Sequence, residues 1–336
     1  NGNNVAINSK NSRTTDNINV EGTDYIVIDG FNVKNAERAG IRVVESVGTI
    51  VKNNIVSNSG KWGIFSGFAQ DIQVLNNKAY DTKEQHGIYV SNSRVINDNP
   101  IIKGNEVYGN GRSGIQVNGD CFSGGDGIIK GAVIENNIAH DNDMKGFSII
   151  SMQNSVIQNN IIYNNRVSAS GAAGIHLADE PGCSKPSNNN VVVSNTIVEP
   201  RMAAIRITDG STNNVIFNNI AIGKYNIEDE VGGNKIDSDS NLKRSSETGV
   251  FVNPSLADYH LSSQSPAIDT GKASYSNKNA PSIDFEGTSR PQGSAYEIGA
   301  DELSAPTSSC ASIGGICKSN PCNVYSACNS VAGSCS

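Results

Sequence analysis

A four-residue unit, glycine–hydrophobic–any–hydrophobic, returns along this chain at a nearly fixed interval, and nothing else limits its fold as strongly. It begins at Gly40 (GIRV), Gly63 (GIFS), Gly87 (GIYV), Gly114 (GIQV), Gly146 (GFSI) and Gly174 (GIHL), with an alanine-led copy at Ala204 (AIRI). A second series lies between these units, each member ending in asparagine: TIVKNN to Asn54, IQVLNN to Asn77, IIKGN to Asn105, AVIENN to Asn137, SVIQNN to Asn160, VVVSN to Asn195 and VIFNN to Asn219. Alternation within each unit puts one side chain in two on a buried face, as Ile88 and Val90 flank Tyr89.

Two or three short strands in every ~25 residues, separated by Asn/Gly turns, describe a right-handed parallel β-helix, an all-β solenoid. Each coil lays its strands on the previous one at a rise of about 4.8 Å. Ile, Val and Leu fill the interior in columns, and the repeated asparagines form an internal ladder from turn to turn. No i, i+3, i+4 pattern persists, which argues against helices. A β-sandwich does not account for one motif at near-constant period. The solenoid is expected over 1–252 and an end cap over 253–303. A Pro/Ser linker at 304–309 and a cysteine-rich module at 310–336 complete the chain. Residues 120–130, 167–172 and 179–190 are the large loop insertions, and 226–244 is a polar stretch suited to closing the groove or covering the stack's end.

Composition narrows the function classes. The net charge of −7 argues against non-specific nucleic-acid binding. No apolar run reaches the ~20 residues of a membrane span. The chain starts at Asn1 without a signal-like segment and reads as processed or truncated. Five of the seven cysteines crowd the tail, which suggests a disulfide module and a secreted or surface protein. A zinc knuckle fits less well, since that tail lacks His and C-x-x-C. Cys121 and Cys183, both in polar loops after repeat strands, are candidates to bridge each other. No Asn-x-Ser/Thr sequon occurs with a residue other than proline in the middle, which favours a prokaryotic origin.

Several blocks, HGIYVSNS at 86–93, GIQVNGD at 114–120, GGDGIIKGAVIENN at 124–137 and SPAIDTG…RPQG…EIGADE at 265–302, are shared with a known group. On these the chain resembles secreted bacterial and archaeal right-handed parallel β-helix proteins of the pectate-lyase-like superfamily. That resemblance implies a carbohydrate-active protein, because characterised members are mostly polysaccharide lyases, glycoside hydrolases and epimerases. The multiple-Asp and Gly-His-Gly pattern of polygalacturonases and the Trp-Ile-Asp-His run of common pectate lyases are absent here, so the chemistry must be argued at the site.

Stacking the repeats in register makes one outward file: Arg42, Phe65, Tyr89, Gln116, Ser148, His176 and Arg206. Aromatic faces suit sugar rings, and Gln116, Asn118 and the arginine forks suit hydroxyls and carboxylates. Beyond the strands lie two polar columns, Asn92–Gly119–Ser151–Asp179–Asp209 and Ser93–Asp120–Met152–Glu180–Gly210. Asp179 and Asp209, on adjacent rungs, would sit roughly 5 Å apart, the spacing of a retaining glycosidase pair; turn residues or shared calcium ligands are the alternatives. An eliminating enzyme would use His86, Tyr89 or His176 as base or acid, with Arg42, Arg206 or Ca²⁺ neutralising a uronate. Asp120 and Asp126 are candidate Ca²⁺ ligands or solvated turn aspartates. His140 and His260 read as structural. The expected activity is cleavage of an extended polysaccharide near Tyr89, Asp120, His176 and Asp179, elimination ahead of hydrolysis; a non-catalytic glycan-binding, adhesive or cell-envelope solenoid is the rival.

Overall fold

A computed structural model describes residues 5–94, 97–166 and 172–303 of the chain. The linker at 304–309, the module at 310–336 and most of the 167–172 loop fall outside the described residues. The chain forms a right-handed parallel β-helix of about ten turns. Among the described residues the only helical element is a 3-10 turn at Pro254–Leu256.

Three strands make each coil. The segments preceding the asparagines collect in one nine-stranded sheet, running from Val27–Asp29 to Lys235–Ile236. The glycine-led units stack as the front face: Ala39–Val44, Trp62–Gly67, Ile88–Ser91, Ile115–Asn118, Phe147–Ile150, Ala173–Ala178 and the end of Thr196–Ile207. The strands after the asparagines form the third face. It merges with the front one because Thr196–Ile207 and Ile220–Asp229 run continuously round the corner. The polar 226–244 stretch extends the solenoid, since its strands pair in parallel with the coil before.

Inside, Ile41, Ile64, Ile88, Ile115, Phe147, Ile175 and Ile205 pair rung to rung and are fully buried. The asparagine doublets divide the turn between them. The first residue adopts the left-handed conformation, as at Asn53, Asn76, Asn136, Asn159 and Asn218, which asparagine tolerates better than most residues. The second points inward: Asn54 Nδ2 donates to Asn77 Oδ1 at 3.0 Å and to the Ile28 carbonyl at 3.0 Å, and the pattern continues through Asn105, Asn137, Asn160, Asn195, Asn219 and Asn241.

The segment expected as an end cap lies along the side of the stack. Val198, Ile220 and Ile222 point outward from the third face and pack under Val250, Phe251, Tyr259, Leu261, Ala267 and Ile298. On the nine-stranded sheet, Val191, Val193, Val215 and Phe217 are covered by Ala280, Tyr275 and Tyr296. The left-handed turn asparagines hold the strap down, Asn136, Asn159 and Asn218 donating to the carbonyls of Phe285, Ile283 and Lys272. The physical reason is in the strands beneath: VVV, VIF and IAI are apolar on both faces, so their outer side needs cover.

Candidate active site

The outward file is in register. Backbone pairing sets Arg42 beside Phe65, then Tyr89, Gln116, Ser148, His176 and Arg206 in turn. Its ends are already neutralised. Arg42 donates to Glu21 Oε2 at 2.6 Å and to Asn19 Oδ1 at 2.9 Å, while Arg206 pairs with Glu228 and Glu230.

The chemistry concentrates around His176, which is buried rather than open to the groove. Its Nδ1 lies 2.6 Å from Lys145 Nζ, and its Nε2 lies 2.9 Å from Thr208 Oγ1. Thr208 Oγ1 in turn donates to Asp209 Oδ2 at 2.7 Å. One proton arrangement satisfies every partner. Lys145 donates to Nδ1, Nε2–H donates to the threonine, and the threonine donates to the carboxylate. Burial, then the nearby Lys145 and Arg206 charges, push His176 down to about 3, so it is a neutral relay at physiological pH. Burial and then Arg206 lower Lys145 to about 8, while Asp209 acts in the opposite direction. A free amine is therefore available near neutrality, held in place by one of its own N–H bonds.

Three register steps along the stack from His176, a second cluster surrounds Tyr89. Asn118 Nδ2 donates to Glu180 Oε2 at 2.7 Å and reaches the Tyr89 hydroxyl at 3.5 Å. Burial raises the Tyr89 phenol above its ordinary range, so the group keeps its proton and can serve as a donor. Asp120 and Glu180 do not occupy one simple column. The chain leaves the rung at Gly119 and rejoins it at Ile129, which pairs with Met152, a fully buried core residue. The two excursions are joined by a disulfide between Cys121 and Cys183.

Other expected site residues have separate employment. His86 Nδ1 accepts the Ser113 amide at 3.2 Å, and burial and then Arg112 push the ring down to about 3. This is a neutral turn histidine. Both oxygens of Asp179 accept the Lys185 amide at 2.9 Å, whereas Asp209 ends the relay; no hydrogen bond joins the two carboxylates. Asp120 accepts from Ser123 Oγ at 2.7 Å and Asn92 Nδ2 at 3.0 Å, and Asp126 pairs with Lys130. Among the described residues no three His, Cys, Asp or Glu side chains gather as a metal site. The Asp120 and Asp126 carboxylates are each hydrogen-bonded to a different neighbour.

Lys145, Thr208 and Trp62 were not singled out in the sequence. Lys145 and Trp62 share a signal with His86: each directly precedes a repeat glycine, at the corner where the chain enters the front face. The strand alternation does not assign a direction to that corner position.

A family model described as a right-handed β-helix region matches residues 1–129 and 85–243. Among solved structures, the pectate lyase Pel9A is similar at 16% identity and a TM-score of 0.58, over 84% of this chain and 72% of that one. The periplasmic alginate epimerase AlgG is similar at 17% identity and a TM-score of 0.51, over 71% of this chain. The match spans 56% of the epimerase. At these identities the likeness is one of fold.

Proposed function

This chain belongs to the right-handed β-helix family, and on that premise we propose that it acts on a uronate-containing polysaccharide, with the Lys145 amine removing the proton α to the carboxylate. The observation that carries the reading is the 2.6 Å contact between Lys145 Nζ and a neutral, buried His176. A lysine lowered to about 8 is a base matched to its task, and the relay fixes its direction. Pectate lyase and alginate epimerase, the activities named for the two similar structures, both concern polyuronates. A disulfide among the described residues suits a secreted or periplasmic site of action, and no helix among those residues is long and apolar enough to cross a membrane.

In the proposed step the C5–H bond breaks as an N–H bond forms on Lys145, leaving a carbanion delocalised into the carboxylate. Collapse of that pair to a C4=C5 double bond expels the C4 oxygen, which takes a proton from water. Protonation of C5 from the opposite face would instead invert the centre. Elimination and epimerisation share the first step, and the Lys145 relay serves both. Hydrolysis by Asp179 and Asp209 has less support, since each carboxylate is bound to its own partner.

The test is incubation with polygalacturonate and alginate in D₂O. Absorbance near 235 nm reads elimination, and deuterium at C5 reads proton abstraction without cleavage. Lys145→Ala is expected to lower either signal at least ~10³-fold, the scale of a lost general base. Activity surviving in Lys145→Ala, or reducing ends appearing without unsaturation or exchange, would overturn the assignment. Silence on every substrate would favour a glycan-binding solenoid.

A further inference from the structure

Two rows of aromatic side chains stand on this solenoid, and they are arranged differently. On the third face, Tyr80, Tyr108, His140 and Tyr163 stack ring on ring at 4.8–4.9 Å with interplanar angles of 0–11°. That is what in-register rings do when the rung spacing is left to set their geometry. Their faces are used up on one another. On the front face, Phe65 and Tyr89 are also paired in register, yet their rings meet at 77° with centroids 5.6 Å apart. Trp62 joins them, 4.7 Å from Phe65 and 6.1 Å from Tyr89.

The departure has a local cause at Gly67, two residues after Phe65 on the same side of the strand. A Cβ at Gly67 would lie 3.2 and 3.3 Å from two Phe65 ring atoms. The ring has folded down onto bare backbone, and Phe65 stays partly exposed. Lys61 Nζ stands 5.8 Å from the Trp62 ring centre. Apolar ring faces and a neighbouring ammonium match a pyranose that presents axial C–H groups on one face and carries a carboxylate at its rim.

We propose that Trp62, Phe65 and Tyr89, with Lys61, form a distal subsite that stacks one uronate ring of the polysaccharide. This inference rests on the reading of Lys145 as the base of a uronate-acting enzyme, and adds where the rest of the chain is held. Phe65 is three register steps from Ser148, the front-face residue just after Lys145 on its rung, or roughly 14 Å. A substrate that reaches both must span several sugars. Short oligomers then react slowly for lack of this contact, and the enzyme acts within chains rather than on dimers.

Trp62 is the single tryptophan in the chain, so its emission reports on this subsite alone. Full-length Lys145→Ala is titrated with oligogalacturonates and oligomannuronates of two to six units, and with cello-oligosaccharides as neutral controls. A saturable change in emission is expected for the longer uronate oligomers, weak for dimers and for neutral chains. In the wild-type background Phe65→Ala should raise KM for polymer about tenfold and leave kcat within about twofold. Gly67→Val, which lifts the ring without removing it, should do the same, with thermal unfolding as the check on folding. Turnover of polyuronate without any change in Trp62 emission, or with KM unmoved in Phe65→Ala, overturns the subsite and leaves the base assignment standing. Saturable emission changes with no turnover in wild type sink the base assignment and keep the subsite. Absence of both overturns both.

Discussion

Removing the carboxylate of Asp209 and removing the guanidinium of Arg206 should move the activity profile in opposite directions. Lys145 is lowered to about 8 chiefly by burial and then by Arg206, and Asp209 pulls it back up. The active form is the unprotonated amine, so kcat/KM should rise about tenfold per pH unit below about 8 and level above it. Asp209→Asn keeps an acceptor for the Thr208 hydroxyl but deletes the charge, and the rise should shift to lower pH. Arg206→Gln should shift it to higher pH. A pH–rate series on the three proteins reads both shifts; profiles that coincide would mean that Lys145 is not the titrating group. Part of this was legible beforehand. The file through Tyr89 and His176 followed from strand alternation alone, because a parallel coil fixes register. The direction of Lys145 did not, because corner residues escape the period-2 rule. Asp209 was paired with Asp179 on spacing, although hydrogen bonding gives it to Thr208.

The asparagine doublets announced one ladder, and the structure contains a second whose first two members stand outside any doublet. Asn110, Asn142 and Asn165 climb the corner between the third and front faces, each amide donating to the next. The column ends on a carboxyl group, with Asn165 Nδ2 donating to Glu199 Oε1 at 2.6 Å and its amide N–H also directed at that group. Glu199 is 1% exposed, and burial pushes it up to about 8 against the donors that favour its charge. The folded chain therefore holds a proton there over a range in which an unfolded glutamate, near 4.5, has lost it. Stability from this group is complete below about 4.5 and declines as pH rises to about 8, by on the order of 5 kcal/mol. Glu199→Gln retains an acceptor and cannot ionise, so its melting temperature should stay flat over that range while the wild type falls. Glu199→Ala should melt lower at every pH, since Asn165 loses its acceptor in the core. Parallel melting curves for wild type and Glu199→Gln would refute the buried proton. The aromatic stack through Tyr108 and His140 escaped the sequence reading for a related reason: rings one coil apart form a column only once the third strand of each coil is aligned.

The strap at 250–302 connects this element-level stability to the catalytic rungs. It covers Val191, Val193, Val198, Val215, Phe217, Ile220 and Ile222. These residues lie on the segments that lead into and out of the front strand carrying Arg206, Thr208 and Asp209, so the strap supports from behind the rungs that hold the relay in front. Its own integrity turns on Arg290, fully buried, which donates to Glu302 Oε2 at 3.2 Å and to the carbonyls of Glu297, Gly299 and Ala300. Truncating a buried partner of this kind typically costs about 3–5 kcal/mol. In a solenoid that loss stays local, because each coil contacts only its neighbours. Arg290→Met should therefore loosen the strap and the coils from Val191 onward while the early coils keep their structure. Amide hydrogen exchange should accelerate in the strands Thr196–Ile207 and Ile220–Asp229 and remain slow in Trp62–Gly67 and Ile88–Ser91. Turnover should fall with it, because Thr208 and Asp209 no longer fix His176, whereas the Trp62 environment on the second of the glycine-led front strands stays as it was. Uniform acceleration across all coils would show instead that the stack unfolds as one unit, and that the strap stabilises the molecule rather than its catalytic half.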